Sequence, residues 1–224
     1  MDTISPLEFI KVKTTAPPLP FLGPGEQIQL QTERLILRPF SQNDLHGLHK
    51  LRTQMEVMKW TPRQAIDDSI EKTQAFLNAK MAANGIQGLG FVICLASTGE
   101  VIGTGGTHSR TGRLGWPELG YMLRKEFWGQ GYASEFLSAF IEYWWSLPRT
   151  GEEIDVERAS ILAGEKNGSL VTECLAAVTD VDNIGSQKVM EKRGFVRVKK
   201  SSLAFEGRGE VPFYGYVLRR PHVE

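Results

Sequence analysis

The chain has 224 residues, with 26 lysines and arginines against 26 aspartates and glutamates, so its formal net charge is zero. That balance argues against nucleic acid as the main partner, because such binders usually carry a basic excess. Apolar residues at 41% and charged residues at 23% are ordinary for a chain that buries a sizeable core. There is no run of about 18 apolar residues, so no membrane span is expected. Met1-Asp2-Thr3-Ile4-Ser5-Pro6 lacks the basic start and apolar core of a signal peptide, and a cytoplasmic protein is expected. Cys94 and Cys174 stand far apart in apolar surroundings, which favours buried free thiols over a disulfide.

Residues 1–26 read as an extended arm. Thr15-Ala16-Pro17-Pro18-Leu19-Pro20 and Gly23-Pro24-Gly25 cannot sustain a helix or a central strand. The remainder, 27–224, reads as a single domain. Its first strand is expected within Thr32-Glu33-Arg34-Leu35-Ile36-Leu37-Arg38-Pro39-Phe40, where Pro39 ends the pairing. Ser41-Gln42-Asn43-Asp44 resembles a capping box opening a helix with Leu45, Leu48 and Leu51 on one face. A second helix over 67–83 carries Ile70, Phe76, Leu77 and Met81 at helical spacing.

Three strands follow: 90–95, a turn at Ser97-Thr98-Gly99-Glu100, then 101–106, then 117–124. Sequential hairpins imply an antiparallel meander. Beyond Trp128-Gly129-Gln130-Gly131-Tyr132 the apolar residues Phe136, Leu137, Phe140, Ile141 and Trp144 take up helical spacing. The polar stretch 147–169, with Pro148, Gly151, Gly164 and Gly168, reads as a functional or disordered insertion. A strand at 173–179, a helix over 183–192 capped by Gly194, and strands at 195–198 and 211–218 complete an α/β chain with a mixed sheet and helices on both faces.

The stretch 118–134 holds the most chemistry. A strand runs through a glycine turn directly into a helix, and a helix start offers free N–H groups and the positive end of the macrodipole. With Gly131 and Ala133 leaving the backbone open, the turn suits a phosphate or diphosphate, although a purely structural turn reads the same way locally. A Walker A loop is absent. Gly103-Thr104-Gly105-Gly106 lies inside the meander and is rejected as a dinucleotide fingerprint. His46 and His49 share a helix face with no third ligand nearby in sequence, so no metal site is expected.

Three segments together resemble the GNAT (N-acetyltransferase) superfamily, in its ribosomal-protein N-terminal acetyltransferase (RimJ/RimL-like) branch. They are Thr32–Phe40, the run from Leu119 to Leu123 followed by Phe127 to Glu135, and Asp180 to Phe195. The matches occur in the family's order and span roughly residues 31–218. The resemblance implies a largely antiparallel, splayed sheet of six or seven strands and transfer of acetyl from acetyl-CoA to a primary amine, on a protein N-terminus or a small molecule, without a metal. It also implies that the turn, Trp128, Gly129, Gln130, Gly131, Tyr132, Ala133 and Ser134, holds the CoA diphosphate. Trp128 stands where the family pattern has Gln or Arg, a departure common in this branch. Tyr121, Met122 and Leu123 would pair their backbone with pantetheine, and Asn183 and Ser186 would lie near pantetheine and the thioester sulfur.

An alkyl amine is mostly protonated at pH 7, so the reaction needs a base. Glu118, just before the cofactor loop, is the candidate, with a solvated edge glutamate as the alternative. Ser186 is a candidate to protonate the departing thiolate, against the plainer reading of a first-turn helix residue bonded to backbone. Glu135 reads as capping or orienting the helix start. The rival for the whole chain is a CoA-binding regulatory or interaction module without turnover. The acceptor amine and the oligomeric state, monomer or homodimer, are open.

Overall fold

The computed structural model describes residues 3–21, 28–165, 168–205 and 209–221. Gly23-Pro24-Gly25, the end of the expected arm at residue 26 and residues 166–167 of the expected insertion lie outside them. The strands are β1 (Phe9–Ala16), β2 (Leu30–Gln31), β3 (Leu35–Arg38), β4 (Leu89–Leu95), β5 (Val101–Ser109), β6 (Glu118–Leu123), β7 (Thr150–Glu157), β8 (Cys174–Asp180), β9 (Val196–Phe205) and β10 (Gly209–Arg219). The α-helices are α1 (Leu45–Arg52), α2 (Met55–Met58), α3 (Ile70–Ala83), α4 (Tyr132–Ser146) and α5 (Ile184–Lys192).

Eight strands form one mixed sheet in the order β2-β3-β4-β5-β6-β8-β10-β9. The seven strands read from the sequence are all present, and the two-residue β2 is the eighth. β3 and β4 pair antiparallel, as do β4 and β5, β8 and β10, and β9 and β10. β6 runs parallel to β8, and that register takes in Glu118↔Ala176 and Leu119↔Ala177.

The chain divides into two compact units. One comprises Leu19–His108 and Gly120–Trp144; the other comprises Met1–Pro18, Ser109–Leu119 and Trp145–Glu224. In the first, α1 and α2 bury Leu48, Leu51 and Val57 with Leu77 of α3 and with Phe40, Val92, Cys94 and Val101. The helix begins as the sequence indicates: Asp44 accepts from the Ser41 backbone N–H at 2.7 Å, and it also takes the Arg38 guanidinium at 2.5 and 2.9 Å. The apolar stripe of α4 stacks Phe136 on Phe140 and Phe140 on Trp144, with ring centroids 5.9 and 6.1 Å apart. A Cβ at Gly105 would sit 2.3 Å from the Phe136 ring, so glycine there serves close packing, not phosphate binding.

In the second unit, β1 and β7 form a separate two-stranded antiparallel sheet, from Phe9↔Glu157 to Ala16↔Thr150. The stretch expected to be a functional or disordered insertion therefore supplies a strand. Val12 and Val156 from this sheet join Leu114, Trp116, Ile161, Val171, Cys174, Ala176 and Val217 in a buried cluster. Outward-facing Lys11 and Lys13 meet Asp155 and Glu153. Both cysteines are buried free thiols, and burial pushes the Cys174 thiol up to about 12. Among the described residues, no helix is long and apolar enough to cross a membrane.

Candidate active site

In the first unit, β6 leads through a 3-10 turn, Lys125–Phe127, into the glycine turn and α4. The base of this loop is fixed by Arg124, a buried residue whose guanidinium binds Glu100, Glu126 and the Val101 carbonyl. Lys125 adds an ion pair with Glu56. Gly129 and Gly131 take φ of +73° and +85°, the left-handed region where a side chain is strained, so the turn needs glycine at both positions.

Two side chains of the turn bond to carbonyls that precede it. Trp128, 42% exposed, donates its indole N–H to the Leu123 carbonyl at 2.7 Å. Gln130 donates its side-chain amide to the Glu126 carbonyl at 2.6 Å. Among the described residues, no acceptor in the chain meets the backbone N–H groups of Gly129, Gln130, Gly131, Tyr132, Ala133 or Ser134. The first such hydrogen bond along α4 is Glu135 N–H to the Gly131 carbonyl at 3.0 Å. Six consecutive free donors at the positive end of a 15-residue helix make an anion cradle.

Glu135 does not cap this helix. Its carboxylate accepts from the Thr32 hydroxyl at 2.6 Å, the Arg34 backbone N–H at 2.9 Å and Arg34 Nε at 2.7 Å. Arg34 Nη2 lies 2.6 Å from the same carboxylate, and Nη1 donates to the Gln130 carbonyl at 3.0 Å. The guanidinium also lies over the Tyr132 ring, 4.4 Å from its centroid. Burial raises the Glu135 carboxyl, but these donors outweigh it and hold the group below its ordinary value. The sequence reading missed Arg34, taking it as the flank of a strand.

Behind the turn, Met122 packs against the α1 core and the Tyr121 ring lies 6.2 Å from Phe136. His108 ends up beside Gly120, with Nδ1 3.1 Å from where a Cβ would stand.

The remaining expected residues belong to the second unit. Glu118 is 2% exposed, not a solvated edge residue. Its carboxylate accepts from the Arg113 backbone N–H at 2.7 Å and from the Arg113 guanidinium at 3.2 Å. The loop that presents these donors is tied by Gly112 N–H to the Trp116 carbonyl, while the Trp116 indole donates to Ser160 at 2.8 Å. Asn183 is the N-cap of α5, its side chain accepting from the Ser186 backbone N–H at 3.2 Å. Gln187 donates to the Val181 carbonyl at 2.8 Å and fixes the entry to the same helix.

A mixed sheet in which β6 feeds a glycine turn and an unblocked helix start defines an α/β protein with an anion-binding helix end. The chain is similar to a ribosomal-protein-S5-alanine acetyltransferase from Vibrio fischeri, with a TM-score of 0.63 and 15% identity over 88% of this chain and 99% of that one. It is similar as well to the microcin C7 self-immunity acetyltransferase MccE in complex with acetyl-CoA and AMP, with a TM-score of 0.62 and 15% identity over 84% and 93% of the two chains. In sequence it is 27% identical, over 74% of its length and 81% of the relative's, to the uncharacterized N-acetyltransferase YoaA of Bacillus subtilis. The acetyltransferase (GNAT) domain family matches residues 34–196, and the chain belongs to that family.

Proposed function

We propose that the chain transfers acetyl from acetyl-CoA to a primary amine by direct attack within a ternary complex. The observation that carries this reading is the row of unpaired N–H groups from Gly129 to Ser134, which suits a diphosphate and no side chain of the described residues. The acetyl-CoA bound to the MccE neighbour supports the same co-substrate. The V. fischeri neighbour, named for a ribosomal protein's alanine, and a RimL ribosomal L7/L12 alpha-N-protein acetyltransferase of the same fold support a protein N-terminus as acceptor, with small-molecule amines as the other class.

In this mechanism the turn grips the diphosphate, and the backbone of Tyr121, Met122 and Leu123 aligns pantetheine. A main-chain N–H near Tyr121 or Met122 stabilises the oxyanion. Glu118 takes the ammonium proton through a water, and Ser186 protonates the thiolate, with Asn183 holding the helix that presents it. The buried thiols suit a reducing, cytoplasmic setting and no covalent enzyme intermediate.

One observation favours a second reading, a CoA-binding regulatory module. Both Glu118 oxygens already accept from Arg113, as in a structural clamp. Calorimetry with CoA and an assay of thiol release from acetyl-CoA over a panel of N-terminal peptides and small amines decide between them. Binding with turnover is expected; binding with no turnover on any amine favours the regulatory module, and no binding defeats both.

A further inference from the structure

We propose that Arg34 is a positioning residue for the diphosphate cradle: it draws the Glu135 carboxylate away from the start of α4 and so keeps that helix end open for an anion. This rests on the reading of the turn as a diphosphate site.

A glutamate in the first turn of a helix is drawn electrostatically to the free N–H groups there. At Glu135 that attraction would set a fixed negative charge in competition with the diphosphate. The carboxylate instead spends its bonds on Thr32 and on three donors of Arg34. Nε and Nη2 form a fork that converges on Oε2 of the carboxylate, while Thr32 and the Arg34 backbone N–H hold Oε1, which restricts orientation as well as distance. Its cation also balances the Glu135 charge within the first turn.

The same guanidinium sets the peptide plane of the turn. Arg34 Nη1 holds the Gln130 carbonyl at 3.0 Å. Because a trans peptide is planar, its C=O and the following N–H point in opposite directions, so fixing the Gln130 carbonyl on Arg34 turns the Gly131 N–H the other way. Glycine at 131 fits this arrangement, since a Cβ there would stand 3.3 Å from Arg34 Nη2. Packing over the Tyr132 ring keeps the guanidinium in place without using a cradle amide.

The test compares wild type, Arg34→Met, Glu135→Gln and the double variant by calorimetry with CoA and by steady-state kinetics. Arg34→Met frees Glu135 and is expected to weaken CoA binding about tenfold, of the size set by one charge at a helix terminus. KM for acetyl-CoA rises with it while kcat holds, because no reacting group has been touched. Glu135→Gln binds CoA at least as tightly as wild type. The double variant recovers to within about threefold of wild type, since the blocking charge is gone, a rescue that lost packing alone does not produce.

Unchanged CoA affinity in Arg34→Met overturns the proposal, and so does a double variant as weak as Arg34→Met. Should Arg34→Met not fold, Arg34→Lys, which keeps the charge and loses the fork, carries the same comparison with and without Glu135→Gln. Failure of the wild-type chain itself to bind CoA marks failure of the diphosphate reading instead.

Discussion

At the scale of single residues, burial and hydrogen bonding decide which acids have chemistry left to do. Glu118 is enclosed and accepts from the Arg113 backbone N–H and guanidinium. If it is the base, Glu118→Gln keeps the shape of the site and removes the proton acceptor. The expected result is a fall in kcat of about 10²–10⁴-fold with CoA affinity unchanged, together with loss of the acidic limb of the pH–rate profile. A variant that turns over at the wild-type rate removes Glu118 from the mechanism. Glu135 makes a different prediction. Its folded carboxyl lies below its ordinary value, so its bonds to Thr32 and Arg34 contribute stability in full above the unfolded value, near 4.5, and lose it as pH falls through the folded value. Melting temperature followed from pH 7 downward should drop less steeply below that point in Glu135→Gln than in wild type. Parallel curves sink the assignment.

At the scale of elements, local chemistry was legible and distant pairing was not. The capping box at Ser41–Asp44, the stripe of α4 and the glycines of the turn each announce themselves within a few residues. β7 did not, because Thr150–Glu157 carries four acids and only Ile154 and Val156 as inward apolar residues, and its partner β1 lies about 140 residues earlier. Arg34 was hidden for the same reason: its partners Gln130 and Glu135 are 96 and 101 residues away, and an arginine beside a strand looks like a solvated flank. The start of α5 shows the reverse, a residue expected at the cofactor that also has local work. Asn183 caps the helix, so Asn183→Ala should cost about 1 kcal/mol of stability by chemical denaturation. Asn183→Asp keeps the cap and should stay near wild type in stability. A KM for acetyl-CoA that rises in both variants alike marks a contact with the co-substrate, whereas a KM unchanged in both leaves the cap as the residue's only role.

At the scale of the whole molecule, strand, helices, three strands, crossover helix, strand, helix and hairpin follow one another as the sequence reading had them, and the parallel step from β6 to β8 requires the crossover that α4 supplies. The addition of β1 and β7 to that plan changes what buries Trp116 and Leu114, not the sheet order. A ligand that binds only the folded chain raises its stability by mass action. At a hundred times its dissociation constant, CoA should add about 2.7 kcal/mol. For a chain of this length each kcal/mol moves the melting temperature about 2–4 °C, so a rise of about 5–10 °C is expected. Pantetheine has the same thiol arm and no diphosphate, and at equal concentration it should give a small fraction of that rise. If pantetheine stabilises the protein as well as CoA does, the binding energy resides along β6 and not at the amides of the turn, and the anion cradle loses its role.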